Sequence, residues 1–147
     1  MRHRVEELDE ILSRLSLAFV QMERSGKCCK GVTLSQCHTF DVLAKSGDLT
    51  MNELSRQMGL AKSTMTRIVN TMVRKGWIER KKGEGDKRLV SVCLTSDGKK
   101  MTENLNQSSK EYVQRILKNL PQEKIPEVIE SLKWVIRSVE KEVCTSC

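Results

Sequence analysis

Apolar residues recur every three or four positions near both ends of the chain. Toward the N-terminus the series is Val5, Leu8, Leu12, Leu15, Phe19 and Met22. This spacing predicts an amphipathic helix over about residues 5–25. Toward the C-terminus a similar series predicts a helix over about residues 122–143, with Ile125, Val128, Ile129, Leu132, Val135, Ile136 and Val139 on one face. Each terminal helix therefore has an apolar face that needs a partner.

Shorter helices, each closed by a glycine, are predicted in the middle of the chain. The first of them begins near Thr33 or Ser35 and ends at Gly47. Its apolar face is expected to carry Cys37, Phe40, Leu43 and Ala44.

Residues 50–76 have the pattern of a helix-turn-helix. Thr50 and Glu53 have the spacing of a capping box, which predicts a short helix that Gly59 ends. A further helix follows over about residues 62–75 and is closed by the next glycine. Two short helices joined at a glycine turn are typical of a helix-turn-helix unit.

A β-hairpin is predicted directly after this unit. Residues 77–80 and 89–94 read as paired strands, and Val90, Val92 and Leu94 alternate onto one face. A polar, glycine-containing tip separates the strands. Thr95 then caps a helix over about residues 96–119, which ends before Pro121.

These elements predict a mainly α protein with a small β-hairpin wing. We expect a single domain over residues 1–147, with a winged helix-turn-helix over about 33–95 and dimerisation helices over about 5–25 and 97–143. The small winged region cannot cover both terminal apolar faces, so we expect those faces to bury each other across a homodimer. The alternative is a monomeric bundle closed by its own terminal helices.

Nearly all the net charge lies in residues 50–88. This segment holds ten Lys and Arg residues against four Asp and Glu residues, and the whole chain has a net charge of +7. A basic segment on a helix-turn-helix favours a nucleic-acid partner. The chain has no apolar run of membrane-spanning length and no stretch resembling a signal peptide, so we expect a cytoplasmic protein without a membrane partner.

Residues 34–101, LSQCHTF through SDGKKM, resemble the MarR family of winged-helix transcription regulators. The most specific part is the wing, where Asp86-x-Arg88 precedes a strand and then Leu94-Thr95-x-x-Gly98. The resemblance implies a homodimer whose terminal helices interlock while two winged domains bind a palindromic operator in double-stranded DNA. It also implies a regulator that a chemical signal releases from DNA, which we expect to be a repressor.

The resemblance assigns DNA contacts residue by residue. The helix over about residues 62–75 would be the recognition helix, whose exposed side enters the major groove. Arg88 would enter the minor groove, and Asp86 would orient Arg88. An arginine suits a narrow minor groove because the negative potential is enhanced there. Wing lysines would add salt-dependent phosphate contacts, and Arg67 could read a guanine edge. The predicted DNA-binding residues are Lys62, Ser63, Thr64, Thr66, Arg67, Asn70, Lys81, Lys82, Asp86, Lys87 and Arg88.

Six cysteines suggest a thiol or metal signal. The candidate sensing residues are Cys28, Cys29, Cys37, His38, Cys144 and Cys147. Thiolates in this pattern suit a thiophilic metal or metalloid ion, or thiol oxidation. The plain alternative is that Cys37 belongs to the core and that the C-terminal pair is a frayed tail. Cys93, in the middle of a strand, is expected to be structural.

Three other functions remain open from the sequence. A MarR-type regulator could instead be gated by a small aromatic acid or drug-like ligand in the cleft between the dimerisation and DNA-binding regions, although aromatic residues make up only 3% of the chain. A cysteine enzyme is disfavoured, because the neighbours Cys37 and His38 point about 100° apart on a helix. An architectural winged helix would show no operator preference.

Overall fold

The computed structural model describes residues 1–24, 31–83, 85 and 90–145, apart from the side chains of Glu23, Cys144 and Thr145. The described part is mostly helical with a small antiparallel sheet, which confirms the predicted fold class. In chain order the elements are α1 Arg2–Arg24, α2 Leu34–Ser46, β1 Leu49–Thr50, α3 Met51–Met58, α4 Lys62–Arg74, β2 Ile78–Lys82, β3 Val90–Leu94, α5 Ser96–Lys118, a 3-10 turn Gln122–Lys124 and α6 Ile125–Thr145.

Helices α2 and α3 begin at capping boxes. Thr33 and Gln36 exchange side-chain and backbone hydrogen bonds at the start of α2. Thr50 and Glu53 do the same at the start of α3, as the sequence predicts. The backbone N–H of Thr50 donates to the Glu53 carboxylate, and this hydrogen bond lowers the pKa of Glu53. Helix α3 ends at Gly59 in the left-handed conformation, φ 62°, which costs glycine little.

The buried face of α2 differs from the predicted one. Cys37 is half-buried and Ala44 is exposed, so the predicted apolar face was only partly right. Two polar residues replace them, because Gln36 is satisfied by the capping box and the Thr39 hydroxyl donates to Ser35 O at 2.8 Å. A polar group can be buried when its hydrogen bonds are made. The buried residues are Gln36, Thr39, Phe40 and Leu43.

The sheet has the strand order β1-β3-β2 and is antiparallel throughout. Leu49 pairs with Val92, and Arg80 pairs with Val92 from the other side. The sequence predicted the β2–β3 hairpin but not β1, because two residues are too few to show a period and Thr50 also caps α3. As the central strand, β3 is covered on both faces at Val92 and Cys93, which are 0% and 3% exposed.

The core lies where α2, α3, α4 and the sheet meet. The rings of Phe40 and Trp77 pack at 5.4 Å between centroids. Burial of such apolar side chains is the main stabilising term. The largest fully buried side chains include Phe40, Leu54, Met65, Met72, Ile78, Val69 and Val92.

Strand β2 is joined to α5 by a close backbone approach. The Thr95 hydroxyl donates to Gly76 O at 2.6 Å and accepts from Gly98 N at 3.0 Å, so it caps α5 as predicted. Thr95 N donates to Trp77 O. A Cβ on Gly98 would lie 1.9 Å from that same Trp77 oxygen, so this position requires glycine.

The chain divides into two compact units, Met1–Ser109 and Lys110–Cys147. Within the first unit, α1 leaves its predicted apolar face largely exposed, as at Val5 and Leu8. Within the second, α6 does the same at Leu132 and Ile136. Faces of this kind mark interaction surfaces. The predicted homodimer, which would cover them, stays a prediction.

Candidate nucleic-acid interface

Helix α4 is held by one face and offers the other to solvent. Met65, Val69 and Met72 are fully buried, and Ile68 is half-buried. Helix α3 packs against α4 after the turn at Gly59. This arrangement presents the outer side of α4 as a rigid surface.

The predicted reading residues lie on this outer side. Thr64 is half-buried, whereas the other five are exposed. The Thr66 hydroxyl donates to Lys62 O at 2.8 Å, which leaves its oxygen free to accept a hydrogen bond from outside. The exposed residues are Lys62, Ser63, Thr66, Arg67 and Asn70.

A groove beside α4 gathers three arginines, and we call it the arginine groove. It has a volume of about 580 Å³ and is lined by Arg67, Asn70, Thr71, Val73, Arg74 and Arg80. Arg80 Nη2 donates to Asn70 Oδ1 at 2.5 Å, and Arg74 Nη2 donates to Thr71 Oγ1 at 3.3 Å. None of the three arginines forms an ion pair within the described part of the chain.

Sequence reasoning did not include Arg74 and Arg80 in the interface. Arg74 lies seven residues after Arg67, which places both on one side of α4, and that spacing could have revealed it. Arg80 comes from strand β2, and only the packing of β2 against α4 brings it to Asn70. No pattern in the sequence predicts this contact.

Lys81 lies on the face of β2 opposite to that of Arg80, because successive strand residues point to opposite faces. Its Nζ is 3.9 Å from Asp48 Oδ2 and 3.8 Å from Glu79 Oε1. Its pKa is raised, first by a hydrogen bond with Cys93 and then by Asp48 and Glu79. Lys82 is exposed and lies on the same side as Arg80. DNA contacts by these two lysines stay predictions.

A cavity of about 490 Å³ opens on the face of β2 that carries Lys81, and we call it the wing-root cavity. Its wall includes Leu43, Asp48, Lys81, Cys93 and Leu94. Cys93 Sγ donates to Glu79 Oε1 at 3.7 Å and to Glu79 O at 3.9 Å. Burial raises the pKa of the Cys93 thiol more than the hydrogen bond with Lys81 lowers it.

Of the predicted sensing residues, Cys37 and His38 are described. They line a small cavity of about 120 Å³ together with Asp41 and Leu105. Among the described residues no group of three or more His, Cys, Asp and Glu side chains could hold a metal ion. Cys28, Cys29, Cys147 and the side chain of Cys144 lie outside the described residues.

Most of the wing tip also lies outside the described residues, and with it the predicted contacts Asp86, Lys87 and Arg88. No helix in the described part is both long and apolar enough to cross a membrane. What the structure does define is a helix-turn-helix with an exposed polar helix, a basic groove and a β-hairpin behind it. This geometry is that of a winged-helix DNA-binding protein.

Comparisons with known proteins agree with this geometry. The MarR family model matches residues 30–89. The chain is 29% identical to the multiple antibiotic resistance protein MarR of Salmonella typhimurium, over 71% of this chain and 74% of that protein. It is 27% identical to the uncharacterized HTH-type transcriptional regulator YsmB of Bacillus subtilis, over 82% of this chain and 83% of that protein.

Solved structures extend the likeness to almost the whole chain. A MarR family protein from Bacillus stearothermophilus has a TM-score of 0.80 at 26% identity and covers 95% of this chain and 98% of its own. Streptococcus pneumoniae FabT, solved in complex with DNA, has a TM-score of 0.76 at 26% identity and covers 96% and 99%. Together these likenesses support a DNA-binding transcription regulator of the MarR family. This family consists of transcription regulators, which are not enzymes.

Proposed function

We propose that this protein is a homodimeric repressor that binds a palindromic operator and leaves it when a thiol-reactive, metal or metalloid signal arrives. The observation that carries the DNA-binding part is the arginine groove, because its three arginines have no carboxylate partners in the described chain. Guanidinium groups of this kind bind phosphate through paired donors.

The outer side of α4 would supply the sequence-specific contacts in the major groove. Arg67 is exposed and forms no ion pair in the described chain, so its guanidinium can pair with the O6 and N7 acceptors of a guanine. Ser63 and Thr66 offer hydroxyl groups at the same surface. Arg74 and Arg80 flank this surface and would hold the phosphates that position it.

The exposed apolar faces of α1 and α6 support the homodimer. Val5 and Ile11 on α1 are 63% and 53% exposed, and Ile136 on α6 is 55% exposed. Covering such faces by a second copy is the ordinary way to bury them. A dimer would also present two α4 helices to two half-sites, which is what a palindromic operator requires.

The signal is proposed from the cysteines. Cys37 and His38 line one small cavity, and the chain carries two more cysteines shortly before them and two near its C-terminus. Soft thiolates at Cys28, Cys29, Cys37, Cys144 and Cys147, with His38, would bind a thiophilic ion or be oxidised.

A small organic ligand is the second candidate signal, and the wing-root cavity favours it. Its volume of about 490 Å³ lies in the range of small-molecule sites. Leu43 and Leu94 provide apolar wall, and Lys81 provides a charged group beside it.

The test is the affinity of reduced, anaerobically purified protein for its own upstream DNA, measured by fluorescence anisotropy. Zinc, arsenite or a mild oxidant is then added, and the series is repeated with Cys28→Ser and Cys29→Ser. We expect one additive to weaken DNA binding about tenfold, or about 1.4 kcal/mol of coupling, in the chain that keeps Cys28 and Cys29. The variant with both serines should not respond.

Random DNA of the same length is the control, and operator preference over it separates a regulator from an architectural protein. Failure to prefer the upstream DNA would contradict the repressor. Tight, salt-sensitive binding that ignores every additive would remove the thiol signal and turn the search to small organic ligands.

A further inference from the structure

The wing-root cavity brings a thiol, a carboxylate and an ammonium group together. Cys93 forms part of its wall although the residue is only 3% exposed. Cys93 Sγ lies 3.7 Å from Glu79 Oε1, and Lys81 Nζ lies 3.8 Å from that same oxygen. The registered pairing of Glu79 with Cys93 across β2 and β3 fixes this contact.

This arrangement has the parts of an activated nucleophile. A cysteine reacts as its thiolate, which needs an acceptor for the proton and a cation to stabilise the charge. The Cys93 thiol donates to the Glu79 carboxylate, and the Lys81 ammonium group lies beside that carboxylate in the wall of the same cavity. Burial keeps the pKa of Cys93 raised, so the resting group is the thiol, and the acceptor must act when a partner arrives.

The cavity indicates the kind of partner. Its wall combines Leu43 and Leu94 with polar groups such as Thr102 and Asn106. An uncharged organic molecule with an apolar body and a carbonyl oxygen suits this wall better than an anion, because Asp48 and Glu103 also line it. The volume of about 490 Å³ accommodates a molecule of one or two small rings.

We propose that Cys93 is a covalent modification site for small α,β-unsaturated carbonyl compounds that enter the wing-root cavity. Glu79 takes the thiol proton while the sulfur forms a bond to the β-carbon. The electrons of the carbon–carbon double bond move to give an enolate, whose oxygen Lys81 stabilises. The α-carbon then takes up the proton from Glu79, so the net step adds S–H across the double bond without an oxidant.

The site is connected to the DNA-binding surface through strand β2. Lys81 and Arg80 are neighbours on that strand, and Arg80 is the arginine that Asn70 holds in the arginine groove. An adduct that displaces Lys81 therefore moves the strand that carries Arg80. This regulatory consequence rests on the proposed function, whereas adduct formation does not.

The experiment uses the full chain with Cys28, Cys29, Cys37, Cys144 and Cys147 replaced by serine, so that Cys93 is the one thiol. N-ethylmaleimide, an α,β-unsaturated imide, is the probe, and intact mass follows the adduct over time. We expect a single adduct, and none when Cys93→Ser is added. Absence of an adduct in the folded Cys93 protein would overturn the site.

Two variants of the Cys93 protein test the roles of the neighbours. Glu79→Gln and Lys81→Met should each slow the adduct about tenfold or more, since a positioned base or cation contributes at least that much. Lys100→Met is the matched control, because Lys100 is exposed on α5 and does not line the cavity, and its rate should stay unchanged. A faster reaction in Glu79→Gln would overturn the base, since it would mean that Glu79 merely repels the thiolate.

Operator affinity is measured on the same protein before and after the reagent. The unmodified Cys93 protein reports whether the proposed function holds, independently of the adduct. We expect the adduct to weaken binding about tenfold, and the Cys93→Ser protein treated alike to keep its affinity. An adduct that forms with no change in affinity would overturn the link to DNA.

Discussion

The two faces of strand β2 hold adjacent basic residues in opposite surroundings. Arg80 faces the arginine groove, where its partner is the neutral amide of Asn70. Lys81 faces the wing-root cavity, where Asp48 and Glu79 lie within 4 Å of its ammonium group. Two neighbouring positive charges in the sequence therefore offer different potentials to DNA. The positive charge of Arg80 stays available to phosphate, while that of Lys81 is largely offset by carboxylates.

The test with the largest expected effect disrupts the close contact between the start of β2 and helix α5. Gly98→Ala would place a Cβ 1.9 Å from Trp77 O, so α5 and the start of β2 must separate. We expect the free energy of unfolding to fall by about 3 kcal/mol, as for severe overpacking. Urea denaturation followed by circular dichroism measures it, with Lys100→Ala, at an exposed position of the same helix, as control. An unchanged midpoint would mean that β2 does not depend on this contact.

The second test removes each basic residue in turn. Arg80→Ala should weaken operator binding about tenfold, or about 1.4 kcal/mol, and reduce the slope of log affinity against log salt by about 0.9. Lys81→Ala should change affinity less than about threefold, because its charge is already offset. Anisotropy titrations at several salt concentrations measure both. Equal losses of operator affinity in the two variants would contradict the claim that Arg80 and Lys81 differ in the charge they offer to DNA.

The third test gives Arg80 the surroundings of Lys81. Asn70→Asp would place a carboxylate 2.5 Å from Arg80 Nη2 in the present geometry, and the resulting pair should weaken binding about fivefold, near 1 kcal/mol. Asn70→Ala removes the hydrogen bond without adding charge and is the control. Its loss should be smaller. If the two variants bind equally, the neutral amide is not what keeps Arg80 available to DNA.

The fourth test, with the smallest expected effect, removes one carboxylate partner of Lys81. Asp48→Asn removes one of its two carboxylate partners, so the net positive charge near the wing rises. We expect about a twofold gain in operator affinity at low salt, which salt screening then removes. The same titration at about 50 mM and 200 mM salt measures it. A loss of affinity would show that Asp48 supports the fold of the wing rather than offsetting Lys81.

Much of the fold followed from local patterns. The capping box at Thr50 and the cap at Thr95 were predicted where the structure has them, because a cap depends on residues at most three positions apart. Strand β1 was missed because two residues carry no period. The face of α2 was partly wrong because Thr39 is buried with its hydroxyl bonded to the helix backbone.

The interface residues were likewise predictable only where they depend on local patterns in the chain. The exposed residues of α4 could be predicted, since a helix has one period and its buried face was visible in Met65, Val69 and Met72. Arg80 could not, because its place depends on β2 packing against α4. Cys93 was expected to be structural, and only its contact with Glu79 and the adjoining cavity suggests chemistry there.

The sequence by itself determined the order of helices and strands, the caps, the basic central segment and the resemblance to MarR regulators. These depend on residues close together in the chain. The tertiary structure alone decided which charges are offset and which stay available, since Coulomb energy depends on distance in space and on burial. It sent Arg80 to an amide and Lys81 to two carboxylates, although one peptide bond separates them.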